Sequence, residues 1–320
     1  MDNEIIELKS SGHPDTLTDL CVEACATGLD QYYMSKYGKI LHYNVDKALF
    51  LAGNATIQYG GGSILKPPTF ILGGQVSEIE EDLCSMLETR IRAIVAQYLP
   101  NLKDFRVEIR CNNVSGNLAD IGGKRRCNDT SFGVGYAPFS QTELMVLDID
   151  HELMRMVWMH RASKDDSVPL GELWKIMCTP RHIFISAPLY AQEIKCKEQY
   201  EDVKTTIEDR LSKYGSVVFN PDFVEGFPYM TLIGSSIECG DDGQVGRGNR
   251  LNGLITPCRP MTIEAFSGKN RMNHTGRIYQ MWAQQRATEL YQKTGKPVSV
   301  ILVSQIGHPL EDYEEYITYA

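Results

Sequence analysis

The feature that most constrains this chain is an alternation of long amphipathic helical runs with short strand-like runs, uninterrupted by any Pro/Ser-rich linker or low-complexity segment. Residues 15–36 carry an apolar stripe of Leu17, Leu20, Cys21, Ala24, Cys25 and Leu29 at helical spacing. Pro14 stands near the first turn, where a missing N–H costs little. Further helices are expected at about residues 76–98, 193–214 and 273–294, the last closed by Gly295. Strands are expected at residues 5–8, 40–44, 48–53, 69–73, 181–190, 229–236 and 299–305, with a turn-rich stretch at Gly60, Gly61, Gly62, Pro67 and Pro68. Phe105, Val107, Ile109 and Cys111 alternate with charged residues, as one face of a half-buried strand does. Strand pairs followed by single helices, repeated about three times, predict an α+β fold with helices packed on mostly antiparallel sheets. No residue-by-residue repeat is visible; the units are expected at about 1–111, 112–228 and 229–320, with interleaved segments.

With 320 residues, 42% hydrophobic and 23% charged, the chain can bury a sizeable core. Its net charge of -9, pI of about 5.4 and lack of a basic run at either terminus argue against a surface for long nucleic acid, so any anion site must be local. The acidic start MDNEIIELK has no apolar signal region. No window approaches the roughly 20 uncharged apolar residues that span a bilayer. These features predict a cytoplasmic protein with no membrane partner. Nine cysteines without a CxxC pair argue against a disulfide framework and a zinc ribbon, and Cys21 and Cys25 read as small apolar residues on a buried helix face.

Four segments carry candidate chemistry. Gly12, His13, Pro14 and Asp15 enter a helix N-terminus, which suits phosphate; His13 could offer a hydrogen bond or positive charge to a leaving oxygen, and Asp15 could hold Mg²⁺. An ordinary helix cap is the alternative. The loop GDDGQVGRGNR from Gly240 has four glycines, Asp241, Asp242, Arg247 and Arg250. Its glycines would let backbone amides approach an anion, and its arginines match phosphate oxygens. It is not a P-loop, and an exposed structural loop is the alternative. Lys269, after Ser267 and Gly268, is close enough in sequence to face the same polyanion. Asn128, Asp129, Thr130, Ser131 and Phe132 lead a carboxylate and an aromatic ring into a glycine-rich strand whose GxG lacks the third glycine of a dinucleotide fingerprint. His151 and Glu152 begin like a zinc-protease HExxH, but Arg155 replaces the second histidine; His42, His160, His182 and His308 lack metal-ligand spacing.

Taken together, GHPDT at Gly12, LHYNVD at Leu41, GGG at Gly60, NDTSFGVGYAP at Asn128, GDDGQVGRGNRLNGLITPCRPM at Gly240, SGKNRMNHTGR at Ser267 and SQIGHP at Ser304 resemble the archaeal-type methionine adenosyltransferases, along nearly the whole chain. The resemblance implies three related α+β subdomains of mostly antiparallel sheet, helices on one face, about a pseudo-threefold axis. It implies a homodimer with active sites at the subunit interface. The implied reaction joins ATP and L-methionine: sulfur attacks ribose C5′ in line, and the departing tripolyphosphate is hydrolysed to pyrophosphate and phosphate. By the same resemblance His13 would hydrogen-bond the departing oxygen, Asp15 would hold Mg²⁺, and Lys175, Arg247 and Lys269 would clamp phosphates. Asp129 would hold the methionine ammonium and Asp241 would contact the nucleoside or methionine side, with Ser131, Phe132, Gly116 and Asp242 also in the substrate pocket. Two Mg²⁺ ions per site are implied, with potassium as a further activator.

The chain departs from that pattern in four places. GELWKIMC from Gly171 keeps Lys175 but has Trp174 beside it, the segment from Val114 to Ala119 has lost most of a nucleotide-contacting motif, Arg271 replaces a common proline, and the chain is short between Gln75 and Cys127 and around Asp150 to Leu170. Two other readings follow: a specialised relative using a methionine analogue or another nucleotide, and a catalytically silent regulatory paralogue. Retention of His13, Asp15, Arg247 and Lys269 together speaks against the silent form.

Overall fold

The structure, a computed structural model, describes residues 4–114, 125–165, 167–221 and 228–319. The chain opens with β1 (Ile6–Lys9), α1 (Pro14–Tyr37), β2 (Tyr43–Leu51), the hairpin β3 (Asn54–Gln58) and β4 (Gly61–Lys66), then β5 (Thr69–Val76), α2 (Glu81–Tyr98) and β6 (Arg106–Asn113). It continues with β7 (Phe132–Ala137), α3 (Gln141–Arg161), β8 (Lys175–Cys178), β9 (Ile183–Ser186), β10 (Leu189–Tyr190), α4 (Lys197–Leu211) and β11 (Val217–Phe219). It ends with β12 (Met230–Thr231), β13 (Gly243–Gln244), α5 (Thr275–Thr294), β14 (Val298–Val303) and β15 (Glu314–Tyr319).

Three principal sheets follow the orders β13-β2-β5-β6, β1-β8-β9-β11 and β15-β14-β7. The first two are built alike: β2 is antiparallel to β5, which runs parallel to β6 across α2, and β8 is antiparallel to β9, which runs parallel to β11 across α4. Each sheet's own strands follow a leading strand and helix in the chain: β1 and α1 before β2, β7 and α3 before β8, and β13 and α5 before β14. β1 pairs with β8, β7 with β14 and β13 with β2, all antiparallel, so each of the three principal sheets takes in a strand that leads into another sheet's helix. The cores reflect this exchange: Ile6 and Leu8 of β1 lie with Trp174, Ile176 and Ile185, while Val245, beyond β13, lies with Leu17, Phe50 and Phe70.

The expected α+β layers are present, with differences that have local causes. The two strands expected at 40–44 and 48–53 are one strand, β2, whose register shifts between Asn44 and Lys47, so the apparent break is a bulge. The run at 181–190 divides at Pro188, which has no N–H for a ladder. The run at 229–236 pairs for two residues only, because the Glu238 carboxylate takes the Leu232 N–H at 2.9 Å and turns the chain. Three strand pairs are parallel. α3, which the helical periodicity left unassigned, starts with a reciprocal cap: Ser140 Oγ accepts the Glu143 N–H at 3.0 Å and Glu143 Oε2 accepts the Ser140 N–H at 2.6 Å.

Cys21 and Cys25 are fully buried on α1, and none of the nine cysteines is joined in a disulfide. Among the described residues no helix is long and apolar enough to cross a membrane.

The glycines of FGVGYA are explained by packing. α5 lies so close on β7 that a Cβ at Gly133 would overlap the Tyr279–Gln280 backbone and one at Gly135 the backbone of Ala283 and Gln284. Gly135→Ala is expected to lower stability by about 1–3 kcal/mol through overpacking, read as a lower urea midpoint; an unchanged midpoint would refute the close approach.

Candidate active site

A cleft of about 900 Å³ opens where the exchanged strands β1 and β13 approach each other across β2 and β8. Its walls carry Lys9, Lys47, Lys175, Arg247, Arg250 and Lys269 against three carboxylates, Glu7, Asp46 and Glu264. In a chain of net charge -9 this local cationic surplus marks a site for a polyanion.

β1 delivers two of these groups by simple alternation: Ile6 and Leu8 enter the core, and Glu7 and Lys9 face the cleft. The β1–β8 register sets Lys9 directly opposite Lys175, a like-charge arrangement that is unfavourable by itself. Glu7 relieves it from 3.6 Å and 3.3 Å. Lys9 is buried, with Nζ 2.9 Å from Asp15 Oδ2 and donating to the Arg247 carbonyl at 2.8 Å.

The GHPD segment caps α1. The Asp15 N–H donates to His13 Nδ1 at 3.2 Å, so the neutral ring carries its proton on Nε2. Burial, reinforced by the Lys9 charge, pushes the His13 pKa down to about 4. With Nδ1 taken by the Asp15 N–H, His13 can offer Nε2–H as a hydrogen-bond donor without carrying charge. Nε2 lies 3.9 Å from Asp241 Oδ2. Burial, followed by the Asp15 charge, raises the Asp241 pKa.

The glycine-rich loop lies along the same helix edge. Asp15 Oδ1 accepts the Gln244 N–H at 2.9 Å, and Asp19, one turn on, accepts those of Gly246 at 2.8 Å and Gly248 at 3.1 Å. A Cβ at Gly248 would overlap the Asp19 carboxylate, so glycine is needed for this contact. The expectation that these amides cradle an anion is thereby corrected: they point into the protein, and the loop presents the Arg247 side chain instead. Arg247 has no ion-pair partner among the described residues, whereas Lys269, 2% exposed, is held by Asp46 at 2.9 Å and Glu264 at 2.8 Å.

The cleft of one chain thus gathers Lys175, Arg247 and Lys269, and His13 and Asp15 stand behind its Lys9–Gln244 wall. Asp242 accepts the Ala52 N–H at 2.7 Å and ties two segments together. Asp129, Ser131 and Phe132 lie apart from the cleft at the start of β7. Asp129 is exposed and accepts the Thr130 N–H, Ser131 donates its N–H to Ser304, and Phe132 is 41% exposed. Gly116 lies outside the described residues. Trp174 turns into the core and donates to Asp150 at 2.7 Å, leaving Lys175 alone of that pair in the cleft, and Arg271 pairs with Glu23 of α1 at 2.8 Å.

The four histidines that lack metal-ligand spacing have ordinary partners: Asn273 for His42, Glu193 for His160, Ser216 for His182 and Asp312 for His308. Glu152, the residue that mimics HExxH, is held by Arg155 and Lys213.

The sequence reading gave no role to Lys9, Asp19 or Asp46, the last of which ends the LHYNVD motif. Glu7 and Lys9 alternating with Ile6 and Leu8 were a readable signal; Asp19 on a helix surface gave none.

The S-adenosylmethionine synthetase (AdoMet synthetase) family model matches residues 1–316. The chain belongs to the S-adenosylmethionine synthetase family. It is 34% identical to an S-adenosylmethionine synthase of Methanothermobacter thermautotrophicus, covering 96% of this chain and 83% of that protein. It is 37% identical to one of Methanobrevibacter smithii, covering 97% and 84%. The fold is similar to that of an unusual S-adenosylmethionine synthetase from Campylobacter jejuni, with a TM-score of 0.60, 14% identity and coverage of 99% of this chain and 81% of that one.

A metal ion, which membership of this synthetase family implies, would find carboxylate oxygens at the cleft. Among the described residues no three His, Cys, Asp or Glu groups gather to hold a metal unaided. Mg²⁺ characteristically binds through one or two carboxylates, with phosphate and water completing its shell. Asp15 offers one carboxylate, with Oδ2 paired to the Lys9 ammonium and Oδ1 accepting the Gln244 N–H, so a metal ion there would displace Lys9 or share these oxygens with both donors.

The Asp19 pKa is raised from 3.8 to about 6 by burial, with Asp15 adding to the rise and Arg250 and the two loop amides opposing it. A carboxyl with a raised folded pKa contributes stability below its unfolded pKa that is lost as pH rises through the folded value. The stability of the wild type relative to Asp19→Asn should therefore fall between about pH 4 and 6; a pH-independent difference in urea unfolding would refute the assignment.

Proposed function

We propose that this chain makes S-adenosylmethionine from ATP and L-methionine. The observation that carries the reading is the cationic cleft, in a chain whose family membership spans residues 1–316. Sulfur is nucleophilic without a general base. A lone pair forms the S–C5′ bond, the C5′–O bond breaks, and its electron pair leaves with a tripolyphosphate bearing about four negative charges. Catalysis then rests on stabilising that leaving group.

His13 donates Nε2–H to the departing oxygen, its tautomer fixed by the Asp15 amide. Lys175, Arg247 and Lys269 bind the phosphates, with Lys9 in the same wall. The retained tripolyphosphate is then hydrolysed to pyrophosphate and phosphate in the same cleft. Asp15 would hold Mg²⁺, two ions per site being expected, and the metal would neutralise phosphate charge. Asp241 is assigned to the nucleoside or methionine side. Since Asp129, Ser131 and Phe132 lie outside the cleft of their own chain, a homodimer is proposed in which a second copy brings them to the methionine end. The enzyme is read as cytoplasmic.

The test is product detection by mass spectrometry with ATP, methionine and Mg²⁺. Wild type should form S-adenosylmethionine, EDTA should abolish it, and His13→Ala should lower kcat by roughly 10²–10³. Absence of product from wild type would refute the function, and equal turnover in the variant would remove His13 from the mechanism.

A further inference from the structure

Arg247 enters the cleft from a segment whose backbone is held on every side. Strand-like pairing with β2 ends at the Val245 N–H, which donates to the Ala48 carbonyl at 3.2 Å. From there side chains take over. The Gly246 and Gly248 amides donate to the two oxygens of Asp19, while both carbonyls accept from Arg250, that of Gly248 at 2.7 Å. The Arg247 carbonyl accepts from Lys9 at 2.8 Å and its N–H donates to the Gln244 carbonyl at 3.3 Å.

Arg250 reaches the cleft wall, but its two terminal nitrogens donate to the Gly246, Gly248 and Thr262 carbonyls while its buried Nε has no hydrogen-bond partner among the described residues; Asp19 does not line the cleft. Placing two charged groups in a largely protein-enclosed position is unfavourable unless hydrogen bonds compensate. Here the compensation passes through the peptide groups flanking one residue, Arg247. A flexible arginine gains most as a phosphate ligand when its main chain needs no rearrangement.

We propose that Asp19 and Arg250 are positioning residues that clamp the 246–248 segment from its amide and carbonyl sides, presenting Arg247 to the phosphate chain. The proposal rests on the phosphate-binding reading of the cleft. Neither residue touches substrate; both act through Arg247.

The test is a double-mutant cycle in the full-length chain. Asp19→Asn, which keeps the shape but replaces one acceptor by a donor, and Arg250→Ala are made in wild-type and Arg247→Ala backgrounds. Tripolyphosphate affinity with Mg²⁺ is measured by calorimetry, together with kcat, methionine KM and circular dichroism. In the wild-type background each variant should weaken tripolyphosphate binding about tenfold and lower kcat roughly 10²-fold, with native dichroism and little change in methionine KM. In the Arg247→Ala background the same substitutions should add less than about twofold to the loss of binding. Wild-type affinity in Asp19→Asn, or a full loss repeated in the Arg247→Ala background, would overturn the proposal. Should Asp19→Asn fail to fold, Arg250→Lys, which keeps the charge but loses the planar fork, carries the same cycle. Binding is read apart from turnover, so an inactive wild type counts against the proposed reaction and an additive cycle against the clamp.

Discussion

Two carboxylates one helical turn apart, Asp15 and Asp19 on the first turns of α1, hold three amides of the 244–248 segment, and Asp15 also anchors Lys9. If that edge of α1 were apolar, the loop would lose its seat and β1 its tie to the loop. The constraint is topological as well as local. α1 packs on the β13-β2-β5-β6 sheet, β1 is inserted in the β1-β8-β9-β11 sheet, and β13, which precedes α5 in the chain, returns to pair with β2. The cleft lies where these exchanged segments meet, so its chemistry depends on the same strand swaps that interlock the three cores.

The electrostatics follow from that arrangement. Buried lysines need partners: Lys9 has Asp15, and Lys269 has Asp46 and Glu264, while the more exposed Lys175 lies 3.3 Å from Glu7. These pairs fix the ammonium groups in place before any ligand arrives, yet the cations still outnumber the carboxylates. Arg247 stands apart from this pattern and is held by its backbone rather than by a counter-charge. His13, kept neutral by burial and set as an Nε2–H donor by the Asp15 amide, suits a role at a developing oxyanion better than one as a base.

Much of this was legible in the sequence. The ends of α1 were marked by Pro14 and the apolar stripe, and α5 by its closing Gly295. The motifs at Gly12, Gly240 and Ser267 pointed to one shared site, and Lys175, Arg247 and Lys269 do line one cleft. Three matters were not legible, because each depends on partners distant in sequence. The strand exchange leaves no local trace, since β1 reads the same whichever sheet receives it. The inward direction of the loop amides depends on Asp19, more than 220 residues away. The glycines of β7 look like a ligand loop, but they answer to the backbone of α5.

The most direct measurement is the position of the phosphate chain itself, in a crystal structure of the protein with Mg²⁺ and tripolyphosphate. The account predicts the phosphates between β1, β8 and the Arg247 loop, contacting Lys9, Lys175, Arg247 and Lys269, with a metal ion on Asp15. Phosphates bound elsewhere, with those four side chains still facing only carboxylates and solvent, would contradict it.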